Sequence, residues 1–236
     1  MAPRRMSDFF HVDPSRQWQA DLIDAIQQNN WIPNDSLNLT SFSDHISSAT
    51  AKQRGRQLEA QLLKQLSFRD LSDRQNRIAE AHIQTFQWIF HGPAEQQGKP
   101  WCNLVTWLEG DGDLYWITGK AGSGKSTLMK YMYRDPRTRQ HLRVWAGSLP
   151  LVTASFYFWN SGSQVQMSQL GLIRSILYEA LKQRPSLLPV LFHQRWSTSS
   201  LFGEDIHPWT LSELMKAFNL LVLKSDKSFK LCLFID

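Results

Sequence analysis

The chain has 236 residues, of which 42% are hydrophobic, and carries a formal net charge of +5 with ten tryptophans. That length and apolar content suffice for one α/β domain with a smaller appendage. Polar residues follow Arg4 and Arg5, which argues against a signal peptide, and the longest apolar runs, Phe156 to Trp159 and Leu231 to Ile235, are too short to span a bilayer.

Two cysteines, Cys102 and Cys232, stand far apart without CxxC or Cys/His spacing. Neither a disulfide framework nor a zinc site is expected, and this suits a reducing, cytoplasmic compartment. Cys232 lies in an apolar strand pattern and reads as a small buried side chain. The densest basic stretch, Arg134, Arg137, Arg139 and Arg143, reads as a solvated loop, because its charges neither line a helix face nor interleave with aromatics. Nucleic acid is therefore the minority reading.

In chain order, Asp13-Pro14 offers an N-cap and first helical position, and Trp18, Leu22, Ile23 and Ile26 then recur on one face until Asn29-Asn30. Pro33 to Thr50 is rich in Ser, Asn, Thr and Asp and reads as linker. A second helix is expected over Lys52 to Leu66, with Leu58, Leu62, Leu63 and Leu66 as its apolar face. A third is expected over Asp73 to Phe90, with Ile78, His82, Phe86, Ile89 and Phe90 near one stripe, which reads as packing against the nucleotide domain, with direct ligand contact as the alternative. After a polar loop from Gly92 to Pro100, Trp101 to Glu109 reads as a short helix and Gly110 to Asp113 as a turn.

Leu114 to Thr118 has the aromatic and β-branched composition of a buried strand. Gly119-Lys120-Ala121-Gly122-Ser123-Gly124-Lys125-Ser126 follows at once and satisfies G-x-x-x-x-G-K-S/T, and Thr127 to Met132 reads as helix. Glycines let the backbone curl into a nest whose N–H groups point at phosphate oxygens. The helix N-terminus that follows favours an anion. Lys125 is the candidate catalytic cation, aimed at the β- and γ-phosphates; the Ser126 hydroxyl is the candidate Mg²⁺ ligand, and Thr127 is placed near the α-phosphate. The stretch is read as a nucleoside-triphosphate site.

Beyond it, Leu151 to Trp159 reads as a buried strand, and Ser168 caps a helix with Leu172, Ile173, Ile176, Leu177, Ala180 and Leu181 on a broad apolar face. Pro185 stops that helix, and Leu187 to Trp196 forms a further short one. Thr210 and Glu213 fit a capping box before Leu211, Leu214, Met215, Phe218, Leu221 and Val222. Lys230 to Ile235 is an apolar run closing on Asp236, the Walker B pattern of a buried strand that delivers a metal-binding aspartate beside the phosphate loop. Glu179, Glu204 and Glu213 give no sequence reason to face a phosphate.

Ala81 to Phe90 (AHIQTFQWIF), then WLEGDGDLYWITGKAGSGKSTLMKYM, ASFYFWNSG and SQLGLIRSILYEAL, resemble the NACHT-type STAND NTPases of filamentous fungi, which carry a nephrocystin-like N-terminal domain and are similar to NOD-like receptors. The resemblance covers roughly Gln57 to Asp236. It implies a switch that ADP holds closed and ATP opens for oligomerisation, as in heterokaryon incompatibility or innate defence. It assigns Gly119, Gly124, Lys125, Ser126 and Thr127 to phosphates and Mg²⁺, and Asp236 to Walker B. Family members continue past this aspartate with water-positioning acids, so the chain reads as truncated there and hydrolysis is not expected of it.

The expected fold is an α/β P-loop NTPase, a parallel sheet flanked by helices and incomplete, preceded by a helical N-terminal segment. The expected division is 1–50 as helical linker segment, 51–110 as helical lead-in and 111–236 as nucleotide domain. The loop residues Gly119, Lys120, Ala121, Gly122, Ser123, Gly124, Lys125, Ser126 and Thr127 bind ATP or ADP, and Ser126 and Asp236 hold Mg²⁺. Partners implied are the nucleotide and a second copy or full-length NACHT relative. Two other classes compete: a non-catalytic fragment that docks on such a relative, and a small P-loop kinase.

Overall fold

The computed structural model describes residues 36–82, 85–91, 102–203 and 207–236. The chain divides into two units, Met1–Gln57 and Leu58–Asp236. The helix expected after Asp13 and the loop after Gly92 lie outside the described residues.

Helix α1 runs over Ser36–Leu66, so residues 36–50, expected as linker, are helical. No Gly or Pro stands between Pro33 and Gly55. Ser, Asn and Thr cost only tenths of a kcal/mol each in a helix, roughly, and a helix already nucleated gains a hydrogen bond for each residue added. In the first unit, the described side chains from Ser47 to Gln57 are exposed or half-exposed.

The second unit is built on a parallel pair of strands, β1 (Leu151–Phe156) and β2 (Lys230–Ile235), in register from Leu151 opposite Lys230 to Phe156 opposite Ile235. Asp236 prolongs the ladder by one rung: its N–H donates to the Phe156 carbonyl at 3.0 Å, and its carbonyl accepts from Phe158 N–H at 3.1 Å. The expected strand to Trp159 thus ends earlier, at Phe156. Both faces are covered, as a parallel pair requires. On one face Val152 and Ala154 pack with Leu231 and Leu233 against α6 (Gln169–Gln183), α9 (Leu211–Lys224) and the end of α1. On the other, Leu151, Cys232 and Phe234 pack against α3 (Leu104–Glu109), α4 (Lys125–Arg134) and α5 (Pro136–Ala146). The second unit is therefore α/β, mostly helical with a two-stranded parallel sheet among the described residues.

Several expected elements change. The helix expected over Asp73 to Phe90 shrinks to α2 (Asp73–Arg77) and a separate 3₁₀ turn, Gln87–Phe90. Ile78 is extended (φ −63°, ψ 124°) because tertiary bonds outcompete the helix there: buried Lys130 takes the Ile78 carbonyl at 2.6 Å and the Glu80 carboxylate at 2.8 Å. Ile78 and Ile89 are buried as the stripe required, whereas His82 is exposed. The short helix expected from Trp101 begins at Leu104, where Asn103 accepts from Val105 and Thr106 N–H.

Leu114 to Thr118 is not a strand. Tyr115 and Ile117 pack against the Cys232–Phe234 side, while Leu114 (73% exposed) and Trp116 (76%) face solvent, and no ladder partner pairs with the segment among the described residues. Its period-2 pattern survives without a sheet, because only one face finds apolar neighbours. The arginine stretch expected as a loop is helical: Arg134 ends α4, and Arg137, Arg139 and Arg143 lie on α5, where Asp135 caps Arg137 N–H and Pro136 occupies the first turn. The short helix expected over Leu187 to Trp196 is split into α7 (Leu188–Leu191) and α8 (His193–Phe202).

The caps expected of Ser168 and Thr210 are formed, to Gly171 and Glu213 N–H respectively. The Glu213 carboxylate does not return to its own helix. It forms a fork with buried Arg195, Nε to Oε1 at 2.5 Å and Nη2 to Oε2 at 3.0 Å, while Arg195 lies 3.9 Å over the Trp209 ring. Cys232 is buried, as expected, and burial pushes its thiol up to about 12. Among the described residues no helix is long and apolar enough to cross a membrane.

Half-buried Arg174 on α6 caps the last turn of α1, donating to the carbonyls of Gln65 (2.7 Å), Leu66 (2.7 Å) and Ser67 (2.9 Å). A fork satisfies several of the orphan acceptors that every helix C-terminus carries. Arg174→Ala is expected to lower unfolding stability by about 2 kcal/mol or more. Arg174→Lys should recover only part of that loss. Urea denaturation of the three proteins checks it; equal midpoints for wild type and the alanine variant would refute the cap.

Candidate functional site

The glycine loop is assembled by what flanks it. Upstream, Tyr115 Oη donates to the Cys102 carbonyl at 2.7 Å and its ring meets Trp107 at 5.5 Å, which holds the segment before Gly119 against α3. Downstream, Leu128 and Met132 fix α4 against Cys232 and Phe234. Between these anchors, Gly122 (φ 75°) and Gly124 (φ 84°) take the left-handed conformation that glycine adopts without penalty. Ser123 N–H donates to the Lys120 carbonyl at 3.2 Å, and Gly124 is the N-cap of α4.

Lys125 closes the loop on itself. Its Nζ donates to the carbonyls of Gly119 and Lys120, each at 2.9 Å. An ammonium has three protons, so two hold the loop and a third remains beyond those bonds. Two carbonyls of the loop, those of Gly119 and Lys120, are thereby taken up by the lysine. Nothing stands within 4 Å of where a Cβ at Gly122 would be. Gly119 to Ser123 are exposed, and Gly124, Lys125, Ser126 and Thr127 are half-buried on the first turn of α4.

The structure thus brings Gly119, Lys120, Ala121, Gly122, Ser123, Gly124, Lys125, Ser126 and Thr127 together as one loop and helix start. Asp236 belongs to a separate element. It stands at the end of β2, half-buried, while α4 packs on that strand through Leu128, Met132 and the Tyr133–Phe234 ring contact at 5.3 Å. Among the described residues no hydrogen bond or ion pair links Asp236 to Ser126 or Lys125. Nor is there a group of three or more His, Cys, Asp or Glu able to hold a metal by itself.

Three features escaped the sequence. Lys130, one turn beyond the loop, is 2% exposed and ties α4 to Ile78 and Glu80. Its hydrogen bond, with Arg134 nearby, holds the Glu80 carboxyl below the usual range. A lysine in an amphipathic helix looks like any solvated residue, so nothing in the pattern betrays its burial. Phe86 is the second: its Cζ lies 3.8 Å from where a Cβ at Gly124 would stand. Its stripe is expected to pack on the nucleotide domain; what the pattern does not give is the partner, 38 positions away in sequence.

The third is a small polar cavity at the end of β1, with Arg74, Gln75, Ser155, Tyr157, Ser175 and Glu179 in its wall. Arg74 Nε and Tyr157 Oη are buried there without a hydrogen bond of good geometry; the Gln75 amide approaches the phenol and only moderates its titration. Burial, reinforced by the charges of Tyr133 and Asp236, pushes the Tyr157 phenol up. Burial likewise pushes the Glu179 carboxyl up, with the Tyr133 hydroxyl 3.5 Å from its Oε2.

Residues 84–236 match the family described as Nephrocystin 3, N-terminal, which spans well over half of the chain. The chain belongs to that family. No curated protein and no solved structure matches it.

The Glu179 shift has a sign that can be tested. A carboxyl raised by folding binds its proton more tightly in the folded state, so its contribution is complete below the unfolded value and is lost as pH rises from about the ordinary 4.5 through the folded value. Glu179→Gln, which keeps the shape and removes the titration, should gain stability over wild type progressively across that rise. Urea midpoints measured from acid to neutral pH check it, and parallel profiles for the two proteins would refute the shift.

Proposed function

We propose that this chain binds a nucleoside triphosphate or diphosphate with Mg²⁺, as the nucleotide module of a P-loop, NACHT/STAND-type signalling switch such as those of fungal NOD-like receptors. The observation that carries the reading is the closed loop: Lys125 bridges the carbonyls of Gly119 and Lys120 while left-handed Gly122 and Gly124 lead into the α4 N-terminus. A glycine loop of this kind, a helix N-terminus and an ammonium with a proton to spare would make a cradle for a polyphosphate. An acidic or neutral small molecule without adjacent phosphates would leave that cradle unfilled.

The donors available to a metal are hard oxygens, the Ser126 hydroxyl and the Asp236 carboxylate. A pair of that kind suits Mg²⁺, which keeps several waters and takes the rest of its shell from phosphate. Bound there, the ion would neutralise charge between the β- and γ-phosphates.

Lys125→Ala is expected to abolish ATP and ADP binding, because one side chain both closes the loop and supplies its cation. Isothermal titration on protein whose circular dichroism matches wild type checks it, and unchanged affinity would sink the site assignment. Asp236→Asn should weaken binding in Mg²⁺ far more than binding in EDTA, since the carboxylate acts on the metal shell. A mutant whose affinity falls equally in both buffers would remove Asp236 from the metal site.

A further inference from the structure

The approach to the loop is aromatic, and its position follows from one buried side chain. Ile89, 3% exposed, is packed with Leu104, Leu108 and Leu128, which pins the 3₁₀ turn Gln87–Phe90 between α3 and α4. Phe86, the residue before that turn, is therefore held against the α4 N-terminus, with its Cζ 3.8 Å from the Cβ position of Gly124. Its ring also meets Tyr131 at 5.8 Å, and Tyr131 in turn meets Phe90 at 6.3 Å. The lower part of this aromatic run is already engaged: Arg137 lies 4.1 Å over Phe90 and donates to Tyr131 Oη at 2.7 Å. Phe86 is the member nearest the phosphate cradle. It is half-buried, and the neighbouring Thr85 and Gln87 are exposed.

We propose that Phe86 is the stacking platform for the nucleobase of the nucleotide held at Gly119 to Thr127. The inference rests on the nucleotide reading above. A phosphate chain in the loop would place its ribose and base just outside the cradle, and the Phe86 ring is an apolar surface beside the α4 N-terminus, where the cradle ends. Every nucleobase has a π face, so a lone phenyl platform confers affinity without choosing among bases. The chain should therefore bind adenine and guanine nucleotides with similar strength and prefer either to a bare polyphosphate.

The test is equilibrium titration of the full 236-residue chain with ATP, GTP and inorganic tripolyphosphate, in wild type, Phe86→Leu, Phe86→Trp and Lys125→Ala. Leucine keeps the packing on Tyr131 and Ile89 but has no π face; tryptophan enlarges it. Phe86→Leu is expected to weaken ATP and GTP by roughly five- to a hundredfold, the range of a base–aromatic stack, and to leave tripolyphosphate unchanged. Phe86→Trp should keep or tighten nucleotide binding. Lys125→Ala should lose all three ligands. Equal losses for nucleotides and tripolyphosphate in Phe86→Leu would overturn the platform and leave Phe86 as loop support. Unchanged nucleotide affinity in Phe86→Leu would overturn it too, while the Lys125→Ala loss would still stand for the nucleotide site. A wild type that binds none of the three would overturn the nucleotide reading itself.

Discussion

A parallel pair of strands has to be covered on both faces, and most of the second unit follows from that constraint. Each strand sends alternate residues to opposite sides, Val152 and Ala154 one way, Cys232 and Phe234 the other. Both sets are apolar, so water must be excluded twice. Helices α6 and α9 with the end of α1 close one face; α3, α4 and α5 close the other. The glycine loop is a by-product of that second closure: α4 lies where its Leu128 and Met132 meet β2, and the loop is whatever backbone reaches the start of α4 from Ile117.

Two cations, one buried and one half-buried, then tie the chain together over long sequence distances. Lys130 reaches 52 positions back to Ile78, and Arg174 reaches more than a hundred back to the end of α1. A charge that is 98% buried is costly unless its donors are met; Lys130 meets a backbone carbonyl and a carboxylate, with Arg134 sharing the latter at 2.6 Å. These bonds also decide where helices stop. Asp73 to Phe90 has the apolar spacing of one long helix, yet its backbone is opened at Ile78 so that the carbonyl can turn to the ammonium. Local pattern yields wherever a buried charge requires a backbone group.

What was legible in the sequence was whatever depends on local rules. The loop motif, the caps at Ser168 and Thr210, the apolar faces of α6 and α9 and the two apolar strands are set by spacing or by nearest neighbours. Asp135-Pro136 carries the cap and first-turn signals of a helix start, yet the arginines that follow have the charge density of a solvated loop. The site was legible only in its linear part. Gly119 to Thr127 is one continuous stretch, whereas Phe86, Lys130 and the Glu179 cavity depend on which helix lies beside which strand. The strand expected at Leu114 shows the converse limit: alternation predicts an extended backbone, not a partner for its hydrogen bonds.

That unpaired segment bears on how the loop keeps its shape. A P-loop hung from a sheet would inherit its position from ladder hydrogen bonds. Here the chain before Gly119 is held by side chains, Tyr115 on Cys102 and Trp107, and Ile117 in the core. Side-chain contacts fix direction less firmly than a ladder does, since each has rotamers to relax into. The two Lys125 bonds to Gly119 and Lys120 compensate from within. They join the first residues of the loop to the first turn of α4. Its curvature is therefore governed by the α4 end, the end where Gly124 is left-handed and Phe86 stands against it.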